Sequence, residues 1–298
     1  MAIIEYATQF SNVLRELYEQ NLTCHDLYQS NTDLQIINGK SIKIPKLSVS
    51  GYKDHNRSNM GFNTGSYTQD YEVKTLDHDR DIEFPLDPMD VDESNMVVTI
   101  ANVQKRFETT QAIPEADCYT YSKIYSEYVR VGGTVKTEAL TTANVLSELD
   151  NDLATMEDAG VPLDRVIMYC TTEYKKLLKN ADGIDRTLAI NGGNGNIDRR
   201  VRTIDDIKKM VTVPSARFKT AYDFTNGCVA AESAKQINYI LIDPEAQVSR
   251  DKYAYIKVFT PGHDSRTADK YLYQNRKYNG TFAIDELMSK GCIIHAEQ

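Results

Sequence analysis

The first apolar positions of the chain recur at intervals of three and four residues, which is the spacing of one face of an α-helix. Charged side chains such as Glu16 and Glu19 lie off this stripe, as in a helix that is apolar on one side only. The pattern predicts a terminal amphipathic helix, which can dock either on the chain's own core or on a neighbouring molecule. The stripe consists of Tyr6, Phe10, Val13, Leu14, Leu17 and Tyr18.

A period of two begins near residue 41. Residues 41–50 and 69–76 alternate apolar and polar side chains, which is typical of β-strands. Pro45 restricts the first strand to an edge or unpaired position, and residues 51–67 between the strands are almost wholly polar. Such a ribbon has too few apolar residues for a core of its own, and two strands alone are marginal in water. We expect it either to lie on another subunit or to be a mobile surface hairpin.

An acidic stretch at residues 77–93 leads into a helical region. The complete ligand loop of a calcium site is missing from it, and its last carboxylates suit the positive end of a helix better. Apolar spacing predicts that helix over residues 93–111. Pro114 can open a second helix at its first turn, which Gly132 and Gly133 end. The two together predict a long helical spine that is interrupted once.

After Thr134 the pattern alternates helix and strand, as in a mixed α/β region. A helix is predicted over residues 145–156, with Thr141 or Thr142 as its cap. A glycine-rich and asparagine-rich loop lies at residues 191–196. Strands are predicted at residues 165–170, 211–213, 238–243, 253–259, 271–284 and 292–294.

Composition limits the classes of protein that fit. The 298 residues are 41% hydrophobic, enough for one large or two modest domains. No segment approaches the roughly 20 apolar residues of a membrane helix, and the first residues lack a signal-peptide pattern. Five widely spaced cysteines favour reduced thiols in a cytoplasm over disulfides or a zinc site. A net charge of −9 disfavours direct nucleic-acid binding, because phosphates attract basic faces.

No motif of a known chemistry is present in the sequence. It contains neither Gly-x-Ser-x-Gly nor His-Glu-x-x-His, and the loop at residues 191–196 lacks the ending of a phosphate cradle. We therefore predict no catalytic, cofactor-binding or metal-binding residues, and a structural subunit that assembles with copies of itself. Basic pairs such as Arg199 and Arg200 are either solvated faces or partners of acidic stretches on neighbouring copies.

Three segments in order carry a resemblance to a known family. They are Val-Thr-Val-Pro-Ser-Ala-Arg-Phe at 211–218, Asn-Tyr-Ile-Leu-Ile-Asp at 238–243 and Arg-Lys-Tyr-Asn-Gly-Thr-Phe at 276–282. These segments, and the order of arm, ribbon, spine helix and mixed α/β region, resemble the major capsid proteins of tailed bacteriophages with the Hong Kong ninety-seven type fold. The resemblance covers nearly the whole chain.

The resemblance implies an α+β fold in five parts. These are an N-terminal arm with an amphipathic helix (residues 1–39), an extended ribbon called the E-loop (40–85), a peripheral domain with the spine helix (86–133), an axial domain (134–252) and return strands (253–298). It also implies hexamers and pentamers that form an icosahedral or prolate shell around double-stranded DNA, with no sequence-specific DNA contact and no membrane. The expected location is the virion, after assembly in the host cytoplasm.

Further partners follow from the same resemblance. We expect a portal protein, a decoration protein in some shells, and a separate scaffolding protein, because the ribbon begins too early for a scaffolding extension unless the chain is already cleaved. Some such coats form an isopeptide bond between a ribbon lysine and an asparagine. Lys53, Lys74 and Asn279 are of the right types, and we expect no such bond. The candidate intersubunit contacts are Lys53, Asp54, Arg57, Tyr67, Tyr71, Lys74, Asp79, Arg80, Arg199 and Arg200.

Three rival interpretations remain open at the level of sequence. The first is an encapsulin, a cargo-loaded compartment built on the same fold. The second is an enzyme on an unrelated α/β fold, which predicts a deep pocket with clustered titrating groups. The third is another virion component, such as a tail or decoration protein.

Overall fold

The computed structural model describes residues 22–31, 41–55, 61–89, 100–181, 207–263 and 268–297. The predicted amphipathic helix at residues 6–18 and the loop at residues 191–196 lie outside these ranges. The helices are α1 (His25–Tyr28), α2 (Ile100–Phe107), α3 (Ile113–Arg130), α4 (Val145–Asp158), α5 (Thr172–Lys179) and α6 (Asp285–Gly291). The strands are β1 (Ser41–Val49), β2 (Tyr67–Thr75), β3 (His78–Leu86), β4 (Ile167–Thr171), β5 (Lys209–Val213), β6 (Tyr222–Asp223), β7 (Val229–Ala230), β8 (Ile237–Ile242), β9 (Gln247–Phe259), β10 (Tyr271–Ala283) and β11 (Cys292–Ala296).

A four-stranded sheet in the order β11-β8-β4-β5 forms the centre of the mixed α/β region. Strand β4 is parallel to β5 and antiparallel to β8. Its side chains alternate between two cores: Ile167 and Tyr169 face α3, whereas Met168 and Cys170 face α4 and α5. Burial on both faces explains why β4 and β8 are apolar at nearly every position instead of alternating.

The two helices of the predicted spine are joined without a gap, and a π-helical segment lies between them. Helix α2 passes into a π-helical segment, Glu108–Ala112, and then into α3. Pro114 lies in the first turn of α3, where its ring would collide with a carbonyl four residues earlier in a regular α-helix. The wider π turn accommodates this clash without ending the helix. Gly132, with φ of +92°, follows the last turn as predicted.

A three-stranded antiparallel sheet, β3-β10-β9, packs against the spine helix. Strand β3 was expected to belong to the ribbon, which the sequence analysis extends to residue 85. The structure instead ends the ribbon's pairing at Ser41 and Thr75 and pairs His78–Leu86 with β10. The acidic stretch is therefore partly a strand, whose carboxylates point to solvent while His78 and Phe84 face the helix.

A buried carboxylate joins the N-terminal segment, the spine helix and the Val211–Phe218 segment. Asp117 of α3 accepts hydrogen bonds from the backbone of Thr23 at 3.1 Å and Cys24 at 3.3 Å, and from Arg217 Nη1 at 3.2 Å. Burial raises the pKa of Asp117, and these donors oppose that shift. The next residue, Phe218, packs edge-on against a spine tyrosine. The arginine and phenylalanine of this segment thus join it to the spine helix.

Helix caps agree with the sequence at one helix and differ at another. Thr171 Oγ1 accepts from the backbone N–H of Tyr174 at 3.2 Å and caps α5, as its position between strand and helix predicts. At α4 the residue before the helix is Asn144, not Thr141 or Thr142. Asn144 Oδ1 accepts from the backbone N–H of Thr141 at 2.7 Å. This hydrogen bond closes a turn just before the helix.

Candidate assembly surface

The hairpin formed by β1 and β2 is fixed to the subunit only at its base. Ile42, Ile44 and Leu76 are buried there against Val248 and Phe282 of the three-stranded sheet. Gly280 of β10 allows this approach, because a Cβ at that position would lie 2.5 Å from Leu76 Cδ2. Among the described strands, β1 and β2 pair with each other and with no third strand.

A charge cluster stabilises the same base. The Lys74 side chain lies 2.9 Å from Asp285 Oδ1 and 3.8 Å from Glu127 Oε2, and it also contacts Glu72. Arg130 of the spine helix pairs with both Glu127 and Asp285. Burial raises the pKa of the Glu72 carboxyl. Burial also acts on Asp285, but the hydrogen bonds from Arg130, Glu72 and Lys74 together outweigh it and hold the pKa of Asp285 below its usual range.

Beyond the base, the hairpin has one apolar face that nothing covers within the described part of the chain. Residues that pair directly across an antiparallel ladder point to the same side. The register places Val49 opposite Tyr67 and Lys43 opposite Val73. The exposed large apolar side chains of both strands therefore share one side of the hairpin. Each of them is between 54% and 77% exposed. They are Leu47, Val49, Tyr67, Tyr71 and Val73.

The described part of the hairpin tip is ordered by its own hydrogen bonds. The backbone N–H of Ser50 donates to the carbonyl of Ser66 at 2.9 Å, and Ser66 donates back to Ser50 Oγ at 2.9 Å. Asn63 Nδ2 donates to the Asp54 carbonyl at 2.8 Å. These bonds hold Tyr52 and Phe62 on the tip with their rings in solvent.

The structure places the candidate contact residues predicted from the sequence in different surroundings. Lys53 and Asp54 lie exposed at the tip, and Tyr67 and Tyr71 lie on the apolar face. Lys74 belongs to the hairpin, but its charge faces the subunit's own carboxylates. Arg57, Arg199 and Arg200 lie outside the described residues.

Two further candidates lie on β3 and pair within the chain. Asp79 accepts from Arg276 of β10 at 2.6 Å and 3.0 Å on the solvent side of the sheet. Arg80 Nε donates to Glu115 of the spine helix at 2.7 Å. Both side chains thus stabilise the packing of the three-stranded sheet within the chain. Asn279, which is of the type needed for an isopeptide bond, is buried on β10.

A groove that was not predicted from the sequence lies between the spine helix and the three-stranded sheet. Its volume is about 330 Å³, with apolar walls and a polar end formed by His78, Arg80, Glu115, Lys277 and Asn279. Burial lowers the pKa of Lys277. Burial would raise the pKa of Glu115, but hydrogen bonds from His78 and Arg80 lower it overall. The alternation of side-chain character over residues 78–84 could have indicated this groove, because it turns one side of β3 towards the helix.

The described residues contain no group of three or more His, Cys, Asp or Glu side chains placed to hold a metal ion. None of the helices in the described ranges is both long and apolar enough to cross a membrane. Burial strongly raises the hydroxyl pKa of core tyrosines such as Tyr174 and Tyr239. Tyr239 donates to the buried Asp152 at 2.6 Å, which is a structural contact in the core.

Comparison with known proteins finds similarity in structure alone. No family model matches the sequence, and no curated protein is detectably similar to it. The mature capsid of bacteriophage PhiM1 matches with a TM-score of 0.63 and 14% identity, over 87% of this chain and 82% of that chain. The capsid of cyanophage P-SCSP1u matches with a TM-score of 0.58 and 13% identity, over 89% and 85%. A structure from Mycobacterium phage Che8 matches with a TM-score of 0.57 and 12% identity, over 87% and 85%.

These matches define the class of fold. The chain is α+β and has the fold of phage capsid subunits, with helices and sheets aligned over most of its length. The predicted resemblance to the capsid proteins of tailed bacteriophages is thereby confirmed at the level of fold.

Proposed function

We propose that this chain is the major capsid protein of a tailed bacteriophage and assembles into the shell that encloses its genome. The observation that carries the proposal is the exposed apolar face of the β1–β2 hairpin. Burying each large apolar side chain contributes about 1.5–3 kcal/mol, and a face of this kind on a soluble protein marks an interaction surface. The fold shared with phage capsids supports the same conclusion.

The partner of this face is a second copy of the chain. A two-stranded ribbon is marginal in water, and only its base is held by the subunit's own core. Contacts between unlike surfaces of identical subunits close into rings when the rotation is right. Such contacts, repeated around the hairpin, would yield the hexamers and pentamers of a shell. Catalysis has no part in this role.

The charge of the chain supports enclosure of DNA without tight binding. Its net charge of −9 repels phosphates at long range, so the shell would hold DNA inside without adhering to it. A separate scaffolding protein, a portal protein and, in some shells, a decoration protein would complete the particle. Its location would be the virion, after assembly in the host cytoplasm. Two of the matched structures are phage capsids, which favours a phage shell over a cargo compartment.

Two neighbouring substitutions on opposite faces of the hairpin test this proposal. Leu47→Asp puts a carboxylate on the apolar face, whereas Ser48→Asp puts the same charge on the polar face. Particles from cells that make each chain are examined by electron microscopy and sedimentation. We expect Leu47→Asp to raise the critical concentration for assembly at least about tenfold, because burial of an unpaired charge is costly, and Ser48→Asp to assemble normally. A native chain that stays monomeric at every concentration, or equal effects of the two variants, would contradict the proposal.

A further inference from the structure

The short hairpin formed by β6 and β7 packs on the spine helix on either side of its turn. Phe224 lies edge-on against Tyr119 of the helix, with 6.0 Å between the ring centroids. Gly227, at the other end of the turn, shares a groove with Glu115 of the same helix. Cys228 follows Gly227 directly, so the chain carries its thiol to this stretch of the helix.

A second thiol lies at the same place. Cys118 of the spine helix is 3% exposed, and a hydrogen bond joins its thiol to that of Cys228. Cys228 is half-buried, so one thiol of the pair can be reached from solvent while the other lies behind it. A disulfide requires two sulfurs that can close to about 2 Å. The strands that flank the turn have two residues each, so the turn can make the small movement that bond formation needs.

The two thiols differ in their readiness to ionise. The hydrogen bond from Cys228 lowers the pKa of Cys118, although burial opposes this shift. The same hydrogen bond, together with burial, raises the pKa of Cys228. Because the thiolate is the nucleophile in thiol–disulfide exchange, Cys118 is the thiol suited to attack its neighbour. Cys228 is the thiol that a reagent in solution meets first.

We propose that Cys118 and Cys228 form a disulfide when the chain meets a low-molecular-weight disulfide such as oxidised glutathione. The Cys228 sulfur first displaces one glutathione thiolate, and its proton passes to solvent. The Cys118 thiolate then attacks Cys228 Sγ and displaces the second glutathione thiolate. Both displaced thiolates take up protons, so two cysteine thiols are oxidised to one disulfide while one glutathione disulfide is reduced to two thiols.

The bond would tie the β6–β7 hairpin to the spine helix in oxidising surroundings. Cytoplasmic glutathione keeps such a pair reduced, so the crosslink depends on the compartment. It would stabilise the fold, because a disulfide constrains the unfolded chain and does so more when the loop it closes is long. This chemistry takes place within one chain and does not depend on the proposed assembly.

Mass mapping tests the bond directly. Dilute native chain is incubated with oxidised glutathione, quenched in acid to stop exchange, alkylated with N-ethylmaleimide under denaturing conditions and digested without reductant. We expect linked peptides that contain residues 118 and 228, with the other three cysteines alkylated. Five alkylated cysteines, a link between other positions, or glutathione that stays on Cys228 would overturn the inference.

Single substitutions test the order of the two steps. Cys118→Ala removes the attacking thiol, so glutathione should remain on Cys228 and add its mass. Cys228→Ser should leave the buried Cys118 unreacted. Cys170→Ala is the matched control, because Cys170 is a buried cysteine of β4, and it should form the bond as the native chain does. Equal glutathione adducts in the native chain and in Cys118→Ala, or no adduct in Cys118→Ala, overturn the proposed steps; if a variant does not fold, the mapping of the native chain decides.

Calorimetry measures the consequence for the fold. Oxidation should raise the thermal midpoint of the native chain by roughly 5–10 °C, and dithiothreitol should reverse the rise. Cys228→Ser cannot form the bond and should show no shift under the same treatment. An unchanged midpoint in the oxidised native chain, or an equal rise in Cys228→Ser, would overturn the stabilising role of the bond.

Discussion

Replacement of Lys74 by methionine tests whether the charge cluster fixes the hairpin to the body of the subunit. Lys74 is only 9% exposed, and methionine keeps an unbranched apolar stem of similar length while it removes the charge. Loss of one partner from a buried ion pair typically costs about 3–5 kcal/mol, because a charge is left uncompensated. Arg130 still neutralises Asp285, and a third of the Asp285 side chain is exposed. We therefore expect Lys74→Met to lower the free energy of unfolding by about 3 kcal/mol, the lower end of that range.

Lys46→Met is the matched control for this substitution. Lys46 lies on the same hairpin and pairs with the same helix, with its Nζ 2.8 Å from Glu286 Oε1. Both of these side chains are largely in solvent, where ion pairs contribute little to stability. No measurable change in the free energy of unfolding is expected from Lys46→Met.

The assay combines urea unfolding with hydrogen exchange on dilute, unassembled chain. Lys74→Met should lower the free energy of unfolding and speed exchange of the amides in β1 and β2, since the base anchors both strands. Lys46→Met should match the native chain in both measurements. If the two variants lose equal stability, or if Lys74→Met leaves exchange in the hairpin unchanged, the cluster does not anchor the hairpin and the reasoning is refuted.

Three other expectations follow from the described contacts. Gly280→Ala should lower the free energy of unfolding in urea by about 1–3 kcal/mol through overpacking, whereas Gly51→Ala, which faces open space, should not; equal losses would contradict this. Burial lowers the pKa of His295, and Asn238 Nδ2 lies 3.1 Å from its Nδ1. The stability from a neutral His295 is therefore complete above about pH 6.5 and is lost as the pH falls through the folded pKa of His295. His295→Gln should therefore make the urea midpoint of unfolding less dependent on pH between about pH 7.5 and pH 5. Cys228, half-buried where the other four cysteines are buried, should react first with Ellman's reagent in the native chain, and early reaction of three or more thiols would contradict the structure.

Much of the fold follows from local sequence patterns. The helix predicted over residues 145–156 is Val145–Asp158, and the strand predicted at residues 238–243 is Ile237–Ile242. The helix has its apolar positions at three- and four-residue spacing, whereas the strand is a short apolar run whose length and isoleucine content favour a strand. No separate strand was predicted at β3, because its carboxylates were interpreted as part of one acidic stretch over residues 77–93. Their alternation in fact fits a strand with one solvated face, and its pairing with β10, almost two hundred residues later, leaves no local trace.

The candidate site was predicted only in outline. Composition alone indicated a ribbon without a core, but its apolar face became visible only with the register, which places Val49 beside Tyr67. Lys74 illustrates the opposite error. A lysine in an alternating strand is expected in solvent, yet Asp285, which is distant in sequence, and Glu127 of the spine surround it. Burial of a charge depends on tertiary contacts, and strand periodicity carries no information about them.

The hairpin divides into two parts with different physical roles, and this division explains how a stable subunit can remain ready to assemble. At the base, Ile42 and Lys74 join the hairpin to the core, so the direction of the ribbon is set before any partner arrives. Beyond the base, Leu47 and Tyr71 are more than half exposed among the described residues. Contact with another molecule would therefore release the free energy of covering them. A ribbon that was disordered from its root would lose part of that free energy to ordering. A fixed base with an uncovered apolar face therefore favours assembly at low concentration while the isolated subunit stays folded.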